Sequence, residues 1–230
     1  MAVILNIDTS SSICSVALSK DGEVIMGLES SKEMDHSSSL APFVEKCMDY
    51  LRDRKEKLDA VSVVNGPGSY TGLRIGLSLA KGLSFGLDIP LITMSALKVM
   101  AVRAIFSDPD FNGDELIVPM MDARRMEVYT GVYDSALSLR LAESAVILDE
   151  NSFDEFRRLP KLIFIGNGTE KFKPLFKSDN AKWLGNKMAH AKYMPALSEK
   201  MYKEKQFADI AYSVPNYLKE YKTTTPKNKI

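Results

Sequence analysis

Histidine and cysteine are nearly absent from this chain, with two of each in 230 residues. That scarcity bounds the chemistry. His36 and His190 are far apart, and Leu40 stands four residues beyond His36, so no helical His-x-x-x-His pair forms. Neither a Ser-His-Asp order nor a Cys-His dyad can be assembled. His36 reads as a helix-start residue and His190 as a surface residue. Cys14 falls in a strand-like run and Cys47 on the apolar stripe of a helix; both read as buried, reduced thiols of a cytoplasmic protein. Charge of one sign is not in excess either: thirty basic residues balance thirty acidic ones. The chain as a whole has no surplus with which to hold a phosphate backbone, so a partner is expected to carry most of any nucleic-acid contact. No apolar run reaches ~18 residues, so no membrane-spanning helix is expected. No basic stretch precedes an apolar one at the start, so no signal peptide is expected.

What is present fits a globular α/β chain. Val3–Asp8 is an apolar run ending in an acid and then Thr9-Ser10, which predicts a buried strand and a turn. Ile13–Ser19 alternates, Asp21-Gly22 is a hairpin signal, and Glu23–Leu28 returns as a third strand. Leu40, Phe43, Val44, Cys47, Tyr50 and Leu51 recur at helical spacing. Ser37, Ser38 and Ser39 are candidate caps, and Pro42 is harmless if Ser39 caps; an earlier start would kink the helix. Strands are expected at Leu58–Val64 and Ile89–Met94, and helices at Leu73–Phe85 and Ser95–Phe106, with Ser95 as a cap. Ser107–Asp114 is turn-rich and marks a boundary. Beyond it, strands are predicted at Glu115–Met121, Met126–Tyr133, Glu143–Leu148 and Leu162–Ile165. A short helix is expected at Phe153–Leu159, and the last long helix starts at Pro195. The pattern is a mixed sheet covered by helices in each of two lobes, 1–106 and 107–214, followed by a tail, 215–230. Disorder is expected only for Thr223–Ile230. No repeat at a fixed period is visible.

The most specific feature is Gly66-Pro67-Gly68-Ser69-Tyr70-Thr71-Gly72-Leu73-Arg74-Ile75-Gly76. A strand, a glycine turn and a helix start can form an anion site. The Gly-Lys-Ser/Thr ending of a P-loop is missing, and a rigid turn is the simpler reading. In the helix that follows, Gly72, Gly76 and Ala80 are four apart, which lets another backbone approach. Leu73, Leu77 and Leu83 spread round the helix, so burial on more than one side is expected. That leaves internal packing or a protein–protein interface, the latter formed with the helix at 40–52.

These residues resemble those of the TsaB (YeaZ) family. The run 66–76 matches its Gly-Pro-Gly-Ser-Phe/Tyr-Thr-Gly-Leu-Arg signature. Asn6–Ser10 matches the opening strand, and Met121–Tyr129 the Asp-Ala-Arg…Glu-Val-Tyr segment. Gly166-Asn167-Gly168 and Pro215–Leu218 also fit, with Lys219 where arginine is common. The resemblance implies an α/β, actin-like ATPase fold of two lobes. It also implies a non-catalytic role: a scaffold for TsaD, the paralogue that transfers the threonylcarbamoyl group to tRNA adenosine. TsaD carries a metal-binding His-x-x-x-His; counted from Ile89-Pro90, this chain has Ala96 and Met100 there. The implied partners are TsaD, through helices 36–53 and 72–86, and TsaE. A homodimer is expected when the chain is alone, with no membrane and tRNA contact at most indirect. Interface candidates are Leu40, Phe43, Val44, Cys47, Leu51, Tyr70, Thr71, Gly72, Leu73, Arg74, Gly76, Leu77, Ala80 and Leu83. A vestigial nucleotide site would comprise Asp8, Thr9, Ser10, Asp122, Gly166 and Gly168, with no cofactor and no metal expected. The alternatives are an ATP-dependent phosphotransferase of the same fold, or a peptidase, as the wider family has been labelled.

Overall fold

β1 (Val3–Asp8) is buried along its whole length, and its sequence is accordingly a near-continuous apolar run. It pairs antiparallel with β2 (Ser15–Lys20), which turns at Asp21-Gly22 into β3 (Glu23–Glu29). Both turn residues have positive φ, as the Asp-Gly signal predicts. On the other side of β1, β4 (Ala60–Gly66) and β5 (Leu91–Ser95) pair in parallel. α1 (His36–Asp53) leads into β4, and α2 (Tyr70–Leu87) joins β4 to β5. α3 (Ala96–Ser107) begins at Ser95, whose hydroxyl accepts from the Leu97 and Lys98 N–H groups. The computed structural model describes residues 2–30, 32, 35–158 and 161–219.

A second sheet contains β6 (Leu116–Asp122), β7 (Glu127–Tyr133), β8 (Leu139–Ile147), β9 (Leu162–Ile165) and β10 (Ala181–Trp183). The strand orders are β3-β2-β1-β4-β5 and β8-β7-β6-β9-β10. In each sheet the first three strands form an antiparallel meander and the last two are parallel additions. The same topology occurs twice without a visible sequence repeat.

α1 and α2 cover one face of the first sheet through Leu40, Val44, Cys47, Leu51, Leu77 and Ala80. α3 is buried almost all round and packs between the sheets, against β4 and β5 on one side and β6, β7 and β9 on the other. The outer face of the second sheet carries an aromatic cluster of Phe153, Phe164, Phe172, Phe176 and Trp183. α5 (Pro195–Lys203) follows the second sheet in sequence but packs on β1, β2, β3 and β5 of the first. The 106/107 division falls in the last turn of α3.

Several local expectations change. α1 starts at His36, not at Ser39, so Pro42 lies inside it. Ser38, whose carbonyl Pro42 leaves without a helical donor, is exposed and can use water. The helix expected at Phe153–Leu159 is a 3-10 turn, Asp154–Phe156, because Phe153 and Phe156 are drawn into the aromatic cluster. β10 and the four-residue α4 (Thr169–Phe172) are too short to show a period. Thr223–Ile230 lies outside the described residues.

Two glycines of α2 have opposite environments. A Cβ at Gly76 would lie 2.3 Å from Thr9 Oγ1, whereas one at Gly82 would meet nothing within 4 Å. Gly76→Ala is expected to cost about 1–3 kcal/mol by overpacking. Gly82→Ala should add about 0.5–1 kcal/mol by removing glycine from a helix interior. Urea unfolding of both variants checks the pair; shifts of the same sign would contradict this packing.

Candidate functional site

The ends of β1 and β6 face a cleft of about 310 Å³ lined by Ser10, Gly68, Ser69, Asp122, Tyr129 and Asn167, among others. On the first-sheet side the chain crosses itself closely. Thr9 Oγ1 donates to the Gly72 carbonyl at 2.8 Å, and Ser69 N–H donates to the Ser10 carbonyl at 2.8 Å. A Cβ at Gly68 would come within 2.3 Å of the Ser10 carbonyl oxygen, and one at Gly72 within 2.2 Å of that of Thr9. Glycine is required at both crossings. Ser69 caps α2 by accepting from Gly72 N–H.

Asp8 lies beneath this crossing and is fully buried. Its Oδ1 accepts from Ser10 N–H at 2.9 Å; Oδ2 has no hydrogen-bond partner among the described residues. Burial pushes the carboxyl up, against the Ser10 hydrogen bonds that favour its charge. Asp122, across the cleft, is half exposed. Burial works against its charge, but Lys171 at 2.9 Å and the Arg124 N–H outweigh it and hold the carboxyl below its usual range. Its own N–H donates to Asn167 Oδ1 at 2.8 Å.

Of the expected nucleotide-site residues, Ser10 and Asp122 line the cleft, and Asp8 and Thr9 lie under its floor. Gly166 and Gly168 face the second sheet instead: a Cβ at Gly166 would run into the Met120 carbonyl of β6, and one at Gly168 into Val128 of β7. Asn167 between them supplies the cleft side chain. His36, at the start of α1, meets the Ser11 carbonyl at 2.9 Å. His190 is not a surface residue: its side chain is 13% exposed and bonds Glu29 at 2.7 Å. Burial lowers its pKa, and Glu29 opposes that shift. Burial pushes the Cys14 thiol up to about 12 and the Cys47 thiol up to about 11, so neither is a nucleophile at neutral pH. Among the described residues, no three His, Cys, Asp or Glu side chains are grouped to hold a metal.

The expected partner surface needs a correction. Leu40, Val44, Cys47 and Leu51 of α1, and Leu73, Leu77 and Ala80 of α2, are buried in the chain's own core. The close approach at Gly72 and Gly76 is to Thr9, not to another chain. Tyr70, Thr71 and Arg74 are exposed, and Phe43 and Leu83 are half-buried. The face of α2 turned away from its core carries Thr71, Ile75, Ser78, Gly82, Phe85 and Gly86, none of them charged. Phe85 is 81% exposed. Plotting the helix opposite Leu73, Leu77 and Ser84 locates this strip from sequence.

A segment of the chain's own C-terminal part flanks the strip. Lys81 Nζ donates to the carbonyls of Ala211 and Ser213, and Asn216 N–H to that of Asn65. The Tyr217 ring stacks on Tyr70 with centroids 5.1 Å apart, and its hydroxyl accepts from Arg74 Nε at 3.1 Å. The two cations of α2 are therefore turned towards this strap.

The buried Asp8 yields a pH-dependent prediction. Its pKa is raised on folding, so its stabilising share is complete below the ordinary aspartate range, about 3.9, and is lost as pH rises through the folded value. Asp8→Asn is therefore expected to raise the melting temperature at pH 7 and to lose that advantage near pH 4. Thermal melts across that range test it; a variant that melts lower at pH 7 would show that the charge is compensated.

A family model for TsaD, tRNA N6-adenosine threonylcarbamoyltransferase, matches residues 30–229. The tRNA threonylcarbamoyladenosine biosynthesis protein TsaB of Bacillus subtilis (strain 168) is 34% identical over 224 residues, spanning 94% of this chain and 93% of that one. A solved Pseudomonas aeruginosa protein, described as uncharacterized with similarity to peptidase YEAZ, matches with a TM-score of 0.81 at 25% identity. That match covers 95% of this chain and 100% of the other. The activator of the 2-hydroxyisocaproyl-CoA dehydratase from Clostridium difficile, solved with bound ADPNP, matches with a TM-score of 0.51 at 11% identity. It covers 89% of this chain and 97% of that one, a likeness of fold alone. The present chain's two five-stranded sheets have the α/β actin-like architecture, and it belongs to the TsaB family of tRNA threonylcarbamoyladenosine biosynthesis proteins.

Proposed function

We propose that the chain is a non-catalytic subunit of the threonylcarbamoyladenosine machinery that docks onto TsaD through the outward strip of α2 and the adjoining edge of α1. One observation carries this reading: an uncharged strip with Phe85 81% exposed, on a helix whose other sides are filled by the core, α1 and the strap. Burying a phenylalanine contributes roughly 1.5–3 kcal/mol, so a partner recovers what exposure in water forfeits. Small residues at 71, 78, 82 and 86 allow a second helix to pack close. Without TsaD, two copies would meet through the same strip about a two-fold axis. TsaE would join the assembled pair.

The positions that the resemblance aligns with the metal pair of TsaD support a role without chemistry. Ala96 and Met100 are both buried and apolar, packed between the two sheets. The cleft is on this reading a vestige of a nucleotide site, served by a first lobe, 1–106, and a second, 107–214, with the strap continuing into a tail from 215.

Phe85→Glu tests the docking surface, because the side chain is exposed and its loss leaves the core intact. The variant should melt like the parent, run as a monomer on size exclusion, and bind TsaD at least ~10-fold more weakly. In a reconstituted modification assay the product should fall in step with binding. Unchanged capture of TsaD by Phe85→Glu would defeat the assignment. Gly76→Arg is not a usable probe, since the new side chain would collide with Thr9 inside the fold.

A further inference from the structure

The turn between β6 and β7 is built against backbone preference. Arg124 and Arg125 have φ of 71° and 45°, the left-handed region that arginine enters at a cost of order 1 kcal/mol or more each. Glycine and asparagine are the residues for such positions. The surroundings hold the arginines there. Asp122 Oδ1 accepts from Arg124 N–H at 2.6 Å, and Glu127 N–H donates to the Arg124 carbonyl at 3.0 Å. Lys171, in the last turn of the short helix α4, clamps the turn from below. Its Nζ donates to the Arg125 carbonyl at 2.7 Å, the Glu127 carbonyl at 2.8 Å and Asp122 Oδ1 at 2.9 Å.

The charges around the turn are spoken for, except two. Asp122 pairs with Lys171 and Glu127 with Lys219. Arg124 and Arg125 are exposed, and among the described residues neither guanidinium has an ion pair or hydrogen bond. A strained, clamped hairpin thus presents two free guanidiniums close in sequence to Asp122, which lines the cleft. Guanidinium is the side-chain group best matched to phosphate oxygens.

We infer that the β6–β7 hairpin is a phosphate-gripping element, and that Arg124 and Arg125 contact the sugar–phosphate backbone of tRNA. An acidic protein surface fits less well. A specific protein interface needs roughly 800 Å² per partner with an apolar centre; among the described residues, the exposed apolar side chains near the arginines are Met126 and, opposite Glu127 on β8, Ile147, too few for such a centre. A narrow charged tip suits a phosphodiester chain. Balanced net charge, which suggested only indirect tRNA contact, averages over the whole surface and does not report a local pair. The inference rests on the family's tRNA pathway and not on TsaD docking through α2.

The test uses Arg124→Asn with Arg125→Gly, which removes both guanidiniums and supplies residues at ease with positive φ. The variant should melt at or above the parent. Binding of labelled, unmodified tRNA is followed by fluorescence anisotropy, for the chain alone and with TsaD, from about 50 to 200 mM salt. Affinity should fall roughly tenfold or more, and the slope of log K against log salt by about 0.7–0.9 per arginine. Arg124→Lys with Arg125→Lys should keep the slope while losing part of the affinity, because charge remains and the planar fork does not. An unchanged slope in the Asn/Gly variant overturns the inference. So does a loss of tRNA binding that appears only with TsaD and tracks loss of TsaD itself, which would place the arginines on a protein surface. Measurement on the chain alone keeps the two readings separable, since Phe85→Glu leaves the hairpin untouched.

Discussion

One backbone contact organises this molecule: the end of β1 lies directly on the glycine turn and first helical residues that follow β4. The carbonyl oxygens of Thr9 and Ser10 occupy the space where side chains at Gly72 and Gly68 would begin. The second sheet repeats the device at corresponding strands. There the Met120 carbonyl of β6 takes the space of a Cβ at Gly166, after β9, and accepts from Gly168 N–H at 3.0 Å. In both halves the first strand and the loop after the fourth are locked together at the same end of the sheet. The cleft opens where these two locks face one another, between Ser10 and Gly68 on one side and Asp122 and Asn167 on the other.

This contact also decides which way α2 faces. With Gly72 and Gly76 pressed on Thr9, and Leu73, Leu77 and Ala80 in the core, Ser78, Gly82 and Phe85 can only point outward. Glycine in a helix interior costs ~1 kcal/mol. At Gly76 internal packing returns that cost; at Gly82, with nothing within 4 Å, nothing inside this chain does. The distinction separates residues that make the fold from residues left over by it, and the proposed docking strip consists of the latter.

The first sheet was largely legible from sequence because its signals are local. Asp21-Gly22 fixes a hairpin, Ser95 caps α3, and apolar runs mark β1 and β4. The stripe Leu40, Val44, Cys47, Leu51 was legible as a face but not as a destination: helical periodicity states that one side avoids water, not what covers it. Here β-strands of the same chain cover it, so most of the expected interface belongs to the core. The second sheet was harder to read because β10 and α4 span only three and four residues. Its aromatics are held by tertiary packing that overrides local preference, as Phe153 and Phe156 show. The Arg124-Arg125 turn was visible as part of the Met121–Tyr129 segment, but its backbone conformation was not, since arginine gives no warning of a left-handed backbone.

The metal-pair positions and the hairpin illustrate one exchange seen from two sides. Met100 reaches from α3 into the space beside Gly166, so the second glycine loop is supported from below by an apolar side chain. A helix carrying ligands at positions 96 and 100 would need polar surroundings, and the inter-sheet layer would lose its dry centre. Filling it with Ala96, Val99, Met100 and Ala101 makes α3 a rigid spine shared by both sheets. At the edge of that layer, Lys171 bonds the Arg125 and Glu127 carbonyls while Asp122 accepts from Arg124 N–H, holding the turn in its unfavourable backbone conformation. On the proposed reading, apolar packing in the former reaction centre stabilises the presentation of charge at its edge, and the subunit acts through surfaces that this core keeps in place.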